Sequence, residues 1–505
     1  MSLENYFLPF RRHVIGNDLK HHINGQELPI IYADWTASGR LYQPVEDYLT
    51  NTLGPFVANT HTETNLTGSA MTHAYHEAQH VIKKHVNACD NDILITADTG
   101  MTGVINKFQR ILGLRIPERM QDQVSFKECD KPVVFITHME HHSNQTSWYE
   151  CDVTLEIVEP NGEGLPSFEH LQLLLEKYQD RKLKIGSFSA CSNVTGIKTP
   201  YHQLAEVMHE HGGLCFIDFA CSAPYVDIDM HPRNSKQSLD AIFFSPHKFL
   251  GGPGSSGVLV FNKALYKNKV PDHPGGGTVT WTNPWGEHKF FDDIALREDG
   301  GTPGFLQTIR TALAIKVKEA MGVENIATRE KEITDFVMEN LAKNEQVVML
   351  EPHIKDRLAI VSFYVPGAHH NLVVRLLNDR FGVQTRGGCS CAGTYGHILL
   401  NVDHDTSNKI TEQINSGDFA EKPGWIRASF HPTMSDKEVN FIVEAINQVA
   451  ENINEWGNDY RFNPATGDFE HTHLKVTFPE LAGFDPMHSC SVEKNSPSIL
   501  KRLFQ

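Results

Sequence analysis

Between about residues 90 and 260, short apolar runs recur along the chain with helical patterns between them: DILIT, PVVFIT, LEIVEP, LKIGSFSA, LCFIDFA, AIFFS and GVLVF. Runs of strand length that are apolar throughout predict strands buried on both faces. Their alternation with helices predicts a mainly parallel α/β sheet of seven strands. One intervening stretch, PYHQLAEVMHEHGG, has Pro200 at its first turn, Tyr201, Leu204, Ala205 and Met208 on one face, and Gly212 and Gly213 as a stop. That is the pattern of a crossover helix. Residues 264–303 are rich in Gly, Pro and Trp (PDHPGGGTVTWTNPWGE) and predict a long loop with a functional role. Beyond it, FLQTIRTALAIKVKEA begins a long helix. LAIVSFYVP, HHNLVVRLLNDRFGVQT and KEVNFIVEAINQVAENINEW read as strand, helix and helix of a smaller α+β lobe. The expected division is an N-terminal segment 1–30 packing with the small domain, a large domain 31–305, a small C-terminal domain 306–455 and an irregular extension 456–505.

A chain of 505 residues is too long for one ordinary core, which agrees with two lobes. Its 45 Lys+Arg against 62 Asp+Glu give a net charge of −17, and no basic tract interrupts the excess. Nucleic acid and anionic membrane are therefore excluded as main partners. The nine cysteines (89, 129, 151, 191, 215, 221, 389, 391 and 490) are scattered, unlike a disulfide scaffold, and suit a reducing cytoplasm. The first residues lack the apolar core of an export signal, and no apolar run approaches the roughly 18 residues of a membrane span.

The chemistry is concentrated around FFSPHKFLGGPG, where Lys248 follows an apolar run and precedes a glycine cluster. Asp218 closes the apolar run LCFID. In a parallel sheet both residues fall at carboxyl ends of neighbouring strands, the edge where open α/β sheets bind ligands. A lysine and an acid there meet the needs of pyridoxal 5'-phosphate, the lysine as Schiff-base partner and the acid to keep the pyridine nitrogen protonated. TADTGMTGVIN, where a strand passes through a Thr/Gly turn into a helix, supplies an N-terminus for the phosphate. Each piece alone is common. Their order and strand context make the argument.

The same residues carry a family resemblance. YADWTASGR, HTETNLTGSAMTHAYHEAQ, TGMTGVIN, MEHHSNQTSW, SACSNVTG, FIDFACSAPY, FSPHKFLGGPG, GGTPG, TRGGCSCAG and WIRASFHP follow one another across roughly residues 30–450. The chain resembles a class V aminotransferase-family enzyme of pyridoxal phosphate fold type I, most closely the group II cysteine desulfurases and selenocysteine lyases. The resemblance implies that Lys248 binds the cofactor covalently, that Asp218 faces its ring nitrogen and that His141 stacks on the ring. It implies that Asn193 bonds the phenolic oxygen and contacts the substrate. Phosphate contacts fall to Met101, Thr102, Ser245 and His247, and to Thr302 reaching in from a second subunit of a homodimer. Arg427, with Arg386 beside it, would take the substrate carboxylate, a task suited to a planar fork. Cys391 matches the sulfur-receiving cysteine, which reacts as a thiolate.

Three departures from the family pattern stand out: Cys221 where a glutamine is usual, Cys389 and Ser390 where two histidines usually precede the loop cysteine, and Met101-Thr102 where two threonines are common. The expected reaction is removal of sulfur or selenium from L-cysteine or L-selenocysteine, giving L-alanine and a Cys391 persulfide, with a protein sulfur acceptor as partner. An aminotransferase, epimerase or β-lyase of the same family, with Cys391 a bystander, stays open, as does a scaffold protein with a structural Lys248. Cys389, Cys391 and His397 lack the paired spacing of a zinc site, so no metal is expected. Cys191 and Cys215, in apolar runs, read as core residues.

Overall fold

Each of the seven apolar runs forms a strand: β1 (Asp92–Ala97), β2 (Val133–Thr137), β3 (Thr154–Val158), β4 (Lys184–Ser189), β5 (Leu214–Asp218), β6 (Ala241–Phe244) and β7 (Gly257–Asn262). The protein is represented by a computed structural model that describes residues 3–23, 26–60, 62–97 and 100–474 and four positions between 481 and 487. The strands join in the order β1-β7-β6-β5-β4-β2-β3. Neighbours from β6 to β3 are parallel, whereas β7 runs antiparallel to both β1 and β6. Alternation along each strand explains the uninterrupted apolar runs. Val134 and Ile136 of β2 pack with Ile105 and Phe108 on one face of the sheet. Phe135 points the other way, into a cluster with Leu204 and Met208. Both faces are covered, so both sets of side chains are apolar.

The helices that matter for the site are α1 (Glu4–Arg11), α2 (Leu66–His85), α3 (Met101–Ile111), α4 (His142–Tyr149), α5 (Tyr201–Glu210), α6 (Phe305–Met321), α7 (Val323–Leu341), α8 (His370–Phe381), α9 (Gly393–Leu399) and α10 (Asp436–Trp456). The long helix expected from residue 305 is α6, which ends at Gly322, whose φ of +75° redirects the chain into α7. Helix α2 went unmarked in the sequence reading. Its buried Met71, Tyr75, Ala78 and Ile82 keep helical spacing amid histidines, and Asn65 caps it by accepting from Gly68 N at 2.8 Å.

A second sheet is antiparallel throughout, with β8 (Val348–Met349), β9 (Ile360–Tyr364), β10 (Arg386–Gly388) and β11 (Trp425–Ser429) in the order β8-β9-β11-β10. One buried cluster unites Phe363 and Ala428 of this sheet with Val337 of α7, Ile446 of α10 and Phe7 of α1. Two segments expected to be irregular contain hairpins, Val279–Thr282 with His288–Phe290 and Tyr460–Asn463 with Asp468–His471. Among the described residues no helix is long and apolar enough to cross a membrane.

Candidate active site

Asp218 is the last residue of β5, paired in register with Phe243 of β6, and Lys248 lies in the 3-10 turn Pro246–Lys248 just after β6. The glycines after Lys248 let the chain fold back on that turn: Gly251 takes φ +81°, and a Cβ on Gly252 would lie 1.9 Å from the Pro246 carbonyl oxygen. Among the described residues none pairs with the Lys248 ammonium. Burial, reinforced by Arg427 and Arg386, pulls its pKa down, and the neighbouring Asp218 opposes this. Asp218 is 5% exposed, and burial pushes its carboxyl up to about 7 although Ala220 N donates to Oδ1 at 2.7 Å.

Lys248, Asp218, His141 and Cys391 line one cavity. Met101, Thr102, Asn193, Ser245 and His247 line it as well, together with Arg386 and Arg427. Of the residues expected at the site only Thr302 is elsewhere. It is exposed on the loop before α6 and does not line this cavity.

His141 is the N-cap of α4, where its Nδ1 accepts from Ser143 N at 3.1 Å. An accepting Nδ1 leaves the ring proton on Nε2. Burial and the Lys248 charge push the imidazole pKa down to about 3, so the ring is neutral. At the start of α3, Met101 N donates to Ser245 Oγ at 2.8 Å, and Thr102 Oγ1 lies 2.6 Å from Ser143 Oγ. Asp98 and Thr99, in the turn before α3, lie outside the described residues.

Asp34, in the quoted YADWTASGR, is a site residue that sequence reasoning missed. Its Oδ1 pairs with Arg427 at 2.8 Å and its Oδ2 with Arg386 at 3.1 Å, so one carboxylate holds both guanidinium groups. Arg427 also donates to the Asn193 carbonyl at 3.0 Å. Glu140 was missed too. Its carboxylate, 1% exposed and with no cation partner among the described residues, accepts from Thr137, Asn144 and Ser189 and ties the ends of β2 and β4 to α4.

The cysteine loop is held from below. Ser390 and Cys391 both have left-handed backbone, φ +51° and +58°, uncommon for consecutive residues other than glycine. Asn193 Nδ2 donates to Ser390 O at 2.7 Å, His142 N to Cys391 O at 2.7 Å, and Gly393 N to His142 Nε2 at 2.9 Å. Cys391 is exposed at the cavity rim. Cys221 donates to the Cys191 carbonyl at 3.1 Å and both residues border the cavity; Cys191, 2% exposed and packed in a buried apolar cluster, is a core residue as expected, as is Cys215, 0% exposed.

These residues fit pyridoxal phosphate. Three polar atoms on lining residues, Asn193 Oδ1, Ser390 Oγ and Arg427 Nε, are buried without a partner, as expected of a wall built around a polar guest. A Cβ on Gly100 would lie 3.1 Å from Ser245 Oγ, a tight approach that glycine avoids at the start of α3, where a phosphate would sit. Lys248 and Asp218, on adjacent strand ends, complete the donor set.

An open α/β sheet with a lysine and a buried carboxylate on its carboxyl edge, facing a helix N-terminus, defines a pyridoxal phosphate enzyme of fold type I. The chain belongs to the class-V aminotransferase family, whose family description, Aminotransferase class-V, matches residues 31–442. It is 27% identical over 378 residues to a probable cysteine desulfurase of Halalkalibacterium halodurans, covering 74% of this chain and 86% of that one. It is 26% identical over 438 residues to a probable cysteine desulfurase of Staphylococcus aureus, covering 86% and 94%. In fold it is similar to the apo cysteine desulfurase of Thermococcus onnurineus, with a TM-score of 0.69 and 22% identity over 88% of this chain and 98% of that one. The Escherichia coli cysteine desulfurase CsdA gives a TM-score of 0.65 at 20% identity, covering 83% and 94%.

Proposed function

We propose that this pyridoxal phosphate enzyme removes sulfur from L-cysteine, or selenium from L-selenocysteine, and yields L-alanine. The observation that carries the reading is Cys391, exposed on a tethered left-handed loop and lining the same cavity as Lys248. The names of the relatives support it. When bound, the cofactor supplies the electron sink that lets the substrate Cα–H and Cβ–S bonds break. Lys248, whose lowered pKa favours the free amine, takes the Cα proton as general base. Asp218 holds the ring nitrogen in its charged form. Burial raises the Asp218 carboxyl to about 7, and a cationic ring nitrogen held beside it would oppose that rise. Arg427 and Arg386, aligned by Asp34, bind the α-carboxylate, and Asn193 and neutral His141 orient the reacting groups.

The Cys391 thiolate attacks the substrate sulfur. The S–S bond forms as Cβ–S breaks, the bond pair stays on carbon, and the proton that Lys248 took, with one from solvent, restores the two carbons of alanine beside neutral His141. Sulfur remains on Cys391 as a persulfide for a protein acceptor. The reading includes a cytoplasmic homodimer in which Thr302 reaches the partner's phosphate site, and the domain division 31–305 and 306–455. The test is to load the purified protein with cofactor, add L-cysteine or L-selenocysteine, and measure alanine together with one extra sulfur on the Cys391 peptide by mass spectrometry. No alanine from either substrate sinks the proposal. Alanine without a modified Cys391 peptide removes the cysteine from the chemistry.

A further inference from the structure

Outside this cavity, the turn between α2 and β1 and the segment after β5 bring together three side chains with metal-binding atoms. Cys89 carries an exposed thiol, Asp92 a carboxylate on a residue 1% exposed, and His231 a half-buried imidazole. One ligand atom from each lies within 4.8 Å of the others. Asp92 Oδ2 accepts from His231 Nε2 at 2.6 Å and from Cys89 N at 2.7 Å. Its Oδ1 is buried with no hydrogen-bond partner among the described residues, although an ordinary structural carboxylate uses both oxygens. The frame is tied independently of the cluster: Met230 N donates to Val86 O at 3.1 Å, Asn87 Nδ2 to Asp229 Oδ1 at 2.6 Å, and His231 N to the same oxygen at 3.0 Å.

We propose that Cys89, Asp92 and His231 form a binding site for a divalent transition metal of the zinc class. Thiolate, imidazole and carboxylate together are a borderline-soft donor set, and zinc takes such ligands tetrahedrally. With metal–ligand distances of about 2.0–2.3 Å, tetrahedral ligand atoms stand roughly 3.3–3.6 Å apart. The thiol lies within 4.8 Å of both other ligand atoms and closes in by about 1 Å at most, and the 2.6 Å His231–Asp92 contact opens by less than about 1 Å to admit the ion. On binding, Cys89 loses its proton to solvent and His231 turns a lone pair to the metal while keeping one ring proton. Water takes the fourth position on the exposed side. The ion then staples the end of α2 to the segment after β5, a structural role away from Lys248.

The probe is Co²⁺ added to the reduced full-length protein and followed by difference absorption. One equivalent should bind with a thiolate-to-cobalt charge-transfer band and the strong visible bands of tetrahedral cobalt, and Zn²⁺ should bleach both. Cys89→Ser should abolish the charge-transfer band, and His231→Gln should weaken binding at least about tenfold. Zinc should raise the wild-type Tm and leave that of Cys89→Ser unchanged. Cys89 is exposed and His231 half-buried, so both substitutions spare buried Asp92, and near-UV circular dichroism checks their folding. A band that survives in Cys89→Ser and disappears in Cys391→Ala overturns the proposal, as does the absence of any saturable cobalt spectrum.

Discussion

Replacing His142 with alanine tests how the loop around Cys391 is held. Two consecutive left-handed residues, Ser390 and Cys391, cost roughly 1–2 kcal/mol each, or about 2–4 kcal/mol together. Opposing this are the hydrogen bonds from Asn193 Nδ2, His142 N and Gly393 N, each contributing about 0.5–1.5 kcal/mol, or about 1.5–4.5 kcal/mol together. The two sums nearly cancel, so the loop is poised and one contact decides its population. His142→Ala removes only the imidazole acceptor of Gly393 N. Alanine is a better helix former at that first position of α4, so the helix itself survives. Loss of about 1 kcal/mol lowers the closed-to-open ratio roughly fivefold, which takes a balanced loop from about one half closed to about one sixth, a roughly threefold loss of population. Single-turnover persulfide formation on Cys391 should slow by that factor, with hydrogen exchange speeding correspondingly at Ala392, whose amide bonds to Cys389 O and not to His142. Ser390→Gly in the His142→Ala background should restore both, because glycine takes the left-handed conformation without the Cβ penalty. Unchanged exchange in His142→Ala, or a double variant slower than the single one, would refute the reasoning.

Lys248→Ala should leave the protein unable to retain the cofactor after borohydride treatment and denaturation. A retained adduct would place the attachment at another lysine. Asp34→Ala strips the carboxylate from Arg427, whose side chain is 3% exposed, and should destabilise the protein by about 3 kcal/mol in urea titration, because a buried guanidinium is left uncompensated. A loss below about 1 kcal/mol would show that the Asn193 carbonyl alone suffices. Acid should destabilise the fold. Burial pushes His141, His370 and His431 down to about 3 from an ordinary 6.5, so the unfolded chain binds more protons below 6.5 and their contribution is lost as pH falls toward 3. Asp218 and Glu330, raised to about 7 and 8, and Glu140, also raised by burial, act in the opposite direction as pH rises from 3.8 and 4.5, but these three carboxyls are outnumbered by six histidines, since burial also pushes His85, His138 and His247 down to about 4. Urea midpoints should therefore fall between pH 6.5 and 4.5, and a midpoint that rises would contradict the histidine burial.

The sequence alone determined the seven strands of the central sheet, because strands covered on both faces must be apolar at every position and so appear as unbroken runs. It also determined Lys248 and Asp218, since a residue at the end of a parallel strand is at the ligand edge wherever the chain goes next. Tertiary structure decided the contacts that cross between lobes. Asp34 meets Arg386 and Arg427 across 352 and 393 residues, His142 clasps Gly393 across 251, and His231 reaches Asp92 across 139. No local periodicity records such pairs. They arise only when the second sheet and the loop before β11 close over the carboxyl edge of the first, and when the segment after β5 packs against the end of α2. The same closure gave Ser390 and Cys391 a backbone conformation that their side chains do not announce.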